Sequence, residues 1–147
     1  EMQFECVEKE YFIYIEKNEK VVDTITQFCK DQVITNAKIS GIGAVKKTEI
    51  GAYDTIAKEY IRKTFPKVWE LVNFEGNVTL KEGVPFVHAH VVLSDHDMQT
   101  IGGHLFETTV AAVGEFFLQK FDGTAYRKLN EDVGLPCICL EKRFEIL

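Results

Sequence analysis

No apolar run in the chain is longer than a strand, and a membrane-spanning helix needs about 20 consecutive apolar residues, so no such helix is expected. The opening stretch, Glu1-Met2-Gln3-Phe4-Glu5, has no basic segment followed by an apolar core, and no secretory leader is expected there. Positive charge is also scarce. Seventeen Lys and Arg stand against 23 Asp and Glu, giving a net charge of −6. Such a field repels polyanions and counts against a free-standing nucleic-acid binder, although Lys58, Arg62, Lys63 and Lys67 come close to a local basic patch. The four cysteines, Cys6, Cys29, Cys137 and Cys139, show no zinc-ribbon spacing, and Cys137-Ile138-Cys139 is too tight for an easy bridge. They read as reduced thiols of a cytoplasmic protein, with metal ligation by Cys137 and Cys139 the lesser alternative. Repeats, low-complexity tracts and linkers are absent.

What is present is an ordinary globular balance: 147 residues, 46% hydrophobic and 27% charged, fitting one domain over residues 1–147 with a full core and no need of disulfides. Residues 4–16 alternate as a strand, with Tyr11, Ile13 and Ile15 on one face. From Val21 the period becomes helical, Val21, Val22, Ile25, Phe28 and Cys29 forming one stripe that should end near Asp31 or Gln32, with Asn18 as the expected N-cap. Strands are expected over residues 37–45, 48–53 and 58–65, with Pro66 breaking the last. A long strand over residues 68–80 would place Val68, Glu70, Val72 and Phe74 on one side. Residues 108–121 are ambiguous, but Gly114 and the β-branched and aromatic content favour a strand. Apolar residues on both of its faces are consistent with a subunit interface. Residues 126–129 are too short to assign, and 137–140 read as a last strand.

The chemistry concentrates in residues 86–105, which hold all four histidines: His88, His90, His96 and His104. His88 and His90 are separated by one residue inside a β-branched run, so they point to the same face of a strand. The polar tract Ser94-Asp95-His96-Asp97-Met98-Gln99 reads as a turn, which makes the run from Thr100 the returning arm of a hairpin. A turn centred on Asp97 sets His90 opposite His104, with Cβ atoms roughly 4.5–5.5 Å apart. His88, His90 and His104 then form a triangle on one face, a candidate three-imidazole metal site. A polar histidine cluster without metal is the other reading, and a one-residue bulge would turn His104 to the opposite face. Gly102 and Gly103 mark either a bulge or a place of close backbone approach. His96 reads as a solvated turn residue. Glu70, the odd carboxylate of an apolar set, is a candidate fourth ligand or general base, or else a hydrogen-bonded edge residue.

With Ile39-Ser40-Gly41-Ile42-Gly43-Ala44, Glu70-Leu71-Val72-Asn73-Phe74-Glu75-Gly76-Asn77, His88-Ala89-His90 and Gly102-Gly103-His104-Leu105 in place, the chain resembles the plant and prokaryote conserved (PPC) domain family. The match spans most of the chain, and the histidine and double-glycine block is its most specific part. The resemblance implies an α/β (α+β) fold: a mainly antiparallel β-sheet flanked by one or two helices, assembled as a homotrimer. It also implies a metal, most often zinc, on His88, His90 and His104 near subunit contacts. A similar histidine arrangement occurs in α-acetolactate decarboxylase, whose fold looks related. Plant members carry AT-hook arms. This sequence has no Arg-Gly-Arg-Pro-type arm, and it places His96-Asp97-Met98 in a turn where the family often has glycine.

Two classes of function follow. In the first, the protein is a metal-dependent enzyme or a metal-bound binder of a small anionic metabolite, zinc or another divalent transition metal keeping a fourth position for water or ligand. Arg62 and Lys63 are then the candidate partners of the anion. In the second, it is a DNA-associated regulatory module whose metal is structural.

Overall fold

Nine strands and one helix form within residues 1–140, the part described by this computed structural model. The alternation over residues 4–16 is folded into a hairpin of β1 (Gln3–Val7) and β2 (Glu10–Ile15), because Glu8 adopts φ +59° in the turn between them. The facing is as the pattern requires: Tyr11, Ile13 and Ile15 are buried.

Helix α1 (Val21–Asp31) buries Val21, Ile25, Phe28 and Cys29. Phe28 meets Tyr11 edge-on at 5.2 Å, and burying a phenyl group of this kind contributes roughly 1.5–3 kcal/mol. The N-cap is Lys20 rather than Asn18, and no cap side chain bonds the first turn. A carboxylate from far along the chain takes that role. Glu107 accepts the Val22 N–H through Oε1 at 2.8 Å and the Asp23 N–H through Oε2 at 3.1 Å. Negative charge is favourable at this end of a helix. Asn18 itself sits at φ +73° and accepts from Lys46 Nζ.

Runs that alternation separates into two strands are continuous in space. β3 (Ala37–Asp54) joins residues 37–45 to 48–53, and β7 (Thr100–Lys120) joins the returning arm of the histidine hairpin to residues 108–120. Bulges carry β3 through the join: its register against β7 shifts between Gly43 and Val45 and again between Lys46 and Ile50, with Lys47 at φ +51°. β4 (Glu59–Phe65), β5 (Trp69–Lys81), β6 (Val84–Ser94), β8 (Tyr126–Asn130) and β9 (Leu135–Cys139) complete the sheet.

All pairings between these strands are antiparallel except β5 with β8. β3, β5, β6 and β7 pair in a closed circuit; the β1–β2 hairpin extends it from β7, β4 from β3, and the β8–β9 hairpin from β5. Ile39, Phe74, Leu93 and Phe116 are buried inside it, and the rings of Phe74 and Phe116 meet edge-on at 5.1 Å. The fold is therefore α+β with a mainly antiparallel sheet, as expected, and has one helix among the described residues. No helix there is long and apolar enough to cross a membrane.

Candidate metal centre

On β6, Ala89, Val91 and Leu93 are buried in the core, which leaves His88 and His90 on the outer face of the sheet. The turn after Ser94 is built by Asp95, whose Oδ1 accepts the N–H groups of Asp97 and Gln99, while Met98 takes φ +59°. It closes in the register centred on Asp97: Ser94 pairs with Thr100, and His90 with His104. Gly102 and Gly103 sit in regular pairing with β6. A Cβ on Gly102 would lie 2.7 Å from the Val91 carbonyl oxygen, and one on Gly103 would lie 2.7 Å from that of Gly51. What approaches closely is thus the chain's own backbone, from β6 on one side and β3 on the other.

The three imidazoles meet. Ring centroids are 5.2 Å apart for His88–His90, 5.2 Å for His88–His104 and 5.7 Å for His90–His104, and one nitrogen from each ring lies within 4.8 Å of the others. Zinc–nitrogen bonds of about 2.0–2.1 Å in a tetrahedral set place nitrogens roughly 3.3 Å apart, so modest ring rotations close the gap. His90 is exposed, whereas His88 and His104 are half-buried. His104 stacks on Tyr60 at 4.6 Å and meets Phe106 edge-on at 4.8 Å. Burial first, then the neighbouring His88, His90 and Arg62 charges, pull its pKa down to about 4. Burial, with Arg127 and His90, lowers His88 as well. Neutral rings are the form that ligates metal. His104 Nδ1 is buried with no hydrogen-bond partner among the described residues, so this nitrogen lacks the partner that buried polar atoms ordinarily have. The donor set fits a divalent transition metal.

Beside the histidines lies a pocket of about 440 Å³, lined on its polar side by Tyr60, Asn77, His88, His104 and Arg127. Arg127, on β8, has only 9% of its surface exposed. The parallel pairing of Lys81 with Arg127 brings it over the outer face of β5. There Nε donates to Thr79 Oγ1 at 2.9 Å, Nη1 to the Pro136 carbonyl at 3.2 Å, and Nη2 to Asn77 Oδ1 at 2.9 Å; His88 Nδ1 is 3.4 Å from Nη2. Alternation did not reveal this residue, since a single arginine in a short polar run carries no periodic signal.

The other candidates are placed differently. Glu70 pairs with Ser94, four residues along β6 from His90 and so roughly 13 Å away at strand rise, and its side chain is exposed. It shares no face with Phe74, because the β5–β6 register shifts between Leu71 and Asn73 and turns Phe74 inward. Arg62 comes closer: it and His104 both pair with Gly51. Its guanidinium lies 3.7 Å from the Phe106 ring centroid and is paired with Glu49 at 2.7 Å. Lys63 alternates to the opposite face and lies 4.9 Å from the Phe65 ring centroid. His96 is exposed in the turn, and no cysteine among the described residues is bridged.

Fold and site together define a β-rich domain with a facial cluster of three imidazoles on its sheet. The chain matches the Plants and Prokaryotes Conserved (PCC) domain across residues 2–122 and belongs to that family. It is similar to the plant- and prokaryote-conserved (PPC) protein of Pyrococcus horikoshii, with 35% identity and a TM-score of 0.84, over 99% of this chain and 97% of that one. It is also similar to a metal-containing protein from Archaeoglobus fulgidus, with 34% identity and a TM-score of 0.83, over 94% and 97% of the two chains. A protein from Bacteroides thetaiotaomicron, described as a candidate DNA-binding protein, matches at 26% identity with a TM-score of 0.92, over 96% and 99%. No curated protein matches the chain.

Proposed function

We propose that this protein holds one zinc ion, or another divalent transition metal, on His88, His90 and His104, and that it works as a cytoplasmic homotrimer receiving a small anionic metabolite beside the metal. The observation that carries this reading is the convergence of three imidazole nitrogens within 4.8 Å of one another, next to a pocket rather than on a closed surface. Three neutral nitrogen ligands leave a fourth tetrahedral position, and an ion held there would act as a Lewis acid toward water or a ligand oxygen. The metal content of the similar Archaeoglobus fulgidus protein supports the same reading. Phe12 and Phe117 pack at 4.7 Å and remain about half exposed with Ile42 and Val72 nearby in the sheet, an apolar surface of the kind that closed cyclic assembly buries.

A second reading, a DNA-associated module with a structural metal, draws on the descriptions of the relatives from Bacteroides thetaiotaomicron and Ralstonia eutropha. The net charge of −6 opposes it, since a polyanion gains little from counterion release on an acidic surface. Elemental analysis of protein never exposed to chelator is expected to give one metal per chain, and light scattering a mass three times the 16.8 kDa of the chain. Transition metal below about a tenth of an equivalent would refute the metal site. A monomer mass at micromolar concentration would refute the trimer.

A further inference from the structure

We propose that Arg127 is the anion anchor of the pocket and that the ligand it selects is a small monocarboxylate with an apolar body. The inference rests on the reading of this site as one for a small anion and names the group that recognises it. A buried guanidinium ordinarily has a carboxylate or phosphate partner. Arg127 has none among the described residues. Thr79 Oγ1, the Pro136 carbonyl and Asn77 Oδ1 are neutral acceptors, and His88 Nδ1 can accept only while its lone pair is free and Nε2 carries the ring proton, the tautomer of the metal-free protein. Three firm acceptors leave two of its five N–H groups, one on Nη1 and one on Nη2, without a partner when His88 ligates metal. These bonds hold the fork in place without cancelling its charge, and the fork lines the pocket that His88 and His104 also line.

The rest of the pocket decides the class of anion. Phe86, Leu135, Pro136 and Ile138 form its apolar wall, and the Phe86 ring centroid lies 5.4 Å from the guanidinium carbon of Arg127. An inorganic anion would leave that wall against water, whereas a carboxylate on a short apolar chain or ring covers it. The volume of about 440 Å³ admits such a molecule with room to spare. Arg62 is the less suitable anchor because Glu49 already neutralises it.

The test uses the full chain, zinc-loaded and metal-free, titrated by calorimetry with isovalerate and phenylacetate and with their amides as neutral controls. Charge-assisted bonds to a buried guanidinium should favour each acid over its amide by roughly tenfold or more. This preference should persist without metal and vanish in metal-free Arg127→Met, while Arg127→Lys keeps part of it. Equal binding of acid and amide, no binding of any probe to wild type, or a preference that needs zinc and ignores Arg127 would overturn the proposal. The acid–amide comparison on wild type needs no variant, so it stands even if Arg127→Met fails to fold. Zinc stoichiometry, measured separately, tells failure of the metal centre from failure of the anchor.

Discussion

Replacing His104 by Phe separates its proposed role as a ligand from its role as a ring. The imidazole is held between Tyr60 at 4.6 Å and Phe106 at 4.8 Å, and a phenyl group keeps both contacts, each worth about 0.5–1.5 kcal/mol. What disappears is Nδ1, buried without a partner, and removing an unsatisfied buried polar atom recovers roughly 1–3 kcal/mol. Against this stands the slightly larger ring, for which overpacking costs about 1–3 kcal/mol where the site cannot relax. The metal-free variant is therefore expected to melt near the wild type or somewhat above it. Zinc should reverse the order. At a free concentration 100-fold above its Kd it stabilises the wild type by about 2.7 kcal/mol. For a chain near 150 residues, each kcal/mol moves Tm by roughly 2–4 °C, so the zinc-dependent shift is about 5–11 °C in wild type and absent in His104→Phe. Thermal melts with chelator and with buffered zinc measure both arms. An equal zinc shift in the two proteins would show that His104 is not a ligand. A metal-free variant that lost more than about 3 kcal/mol would show that the imidazole is needed for folding and that its buried nitrogen is satisfied in solution.

His90→Ala should abolish most zinc affinity, and adding His104→Ala should cost less than the sum of the two single losses, because one change already destroys a shared site; His96→Ala should leave the chelator competition curve unchanged. A loss confined to His96→Ala would contradict the ligand set. Glu107→Ala removes the acceptor of the Val22, Asp23 and Thr108 N–H groups and should cost about 2–4 kcal/mol in urea unfolding, given roughly 1–2 kcal/mol for a lost helix cap with further unsatisfied donors. Burial outweighs the Val22, Thr108 and Asp23 N–H groups, which favour the carboxylate, and raises the Glu107 pKa above its ordinary 4.5, so its protonated form is favoured on folding: this contribution is complete below 4.5 and is lost as pH rises through the folded value. The stability gap between wild type and Glu107→Gln should accordingly narrow as pH rises above 4.5, and a gap that widens would contradict the sign.

Contacts made within one strand or across one tight turn were legible from the residues alone. A period of two is enough to put His88 and His90 on one face, and a short polar turn centred on Asp97 is enough to bring His104 opposite His90. The helical stripe of Val21, Ile25, Phe28 and Cys29 follows from spacing in the same way. Only the tertiary structure decided the rest. The cap of α1 comes from Glu107, 85 residues beyond the Val22 N–H it accepts, and Arg127 reaches His88 across 39 residues through a single parallel pairing. Glu70 shares an apparent apolar face with Phe74 until a bulge near Val72 reverses the alternation, and no local pattern shows where a bulge falls. Alternation and turn chemistry act over a few residues, whereas long-range pairings and bulges are set by how the whole sheet closes around its core, so the histidine cluster could be read from one hairpin but the arginine beside it could not.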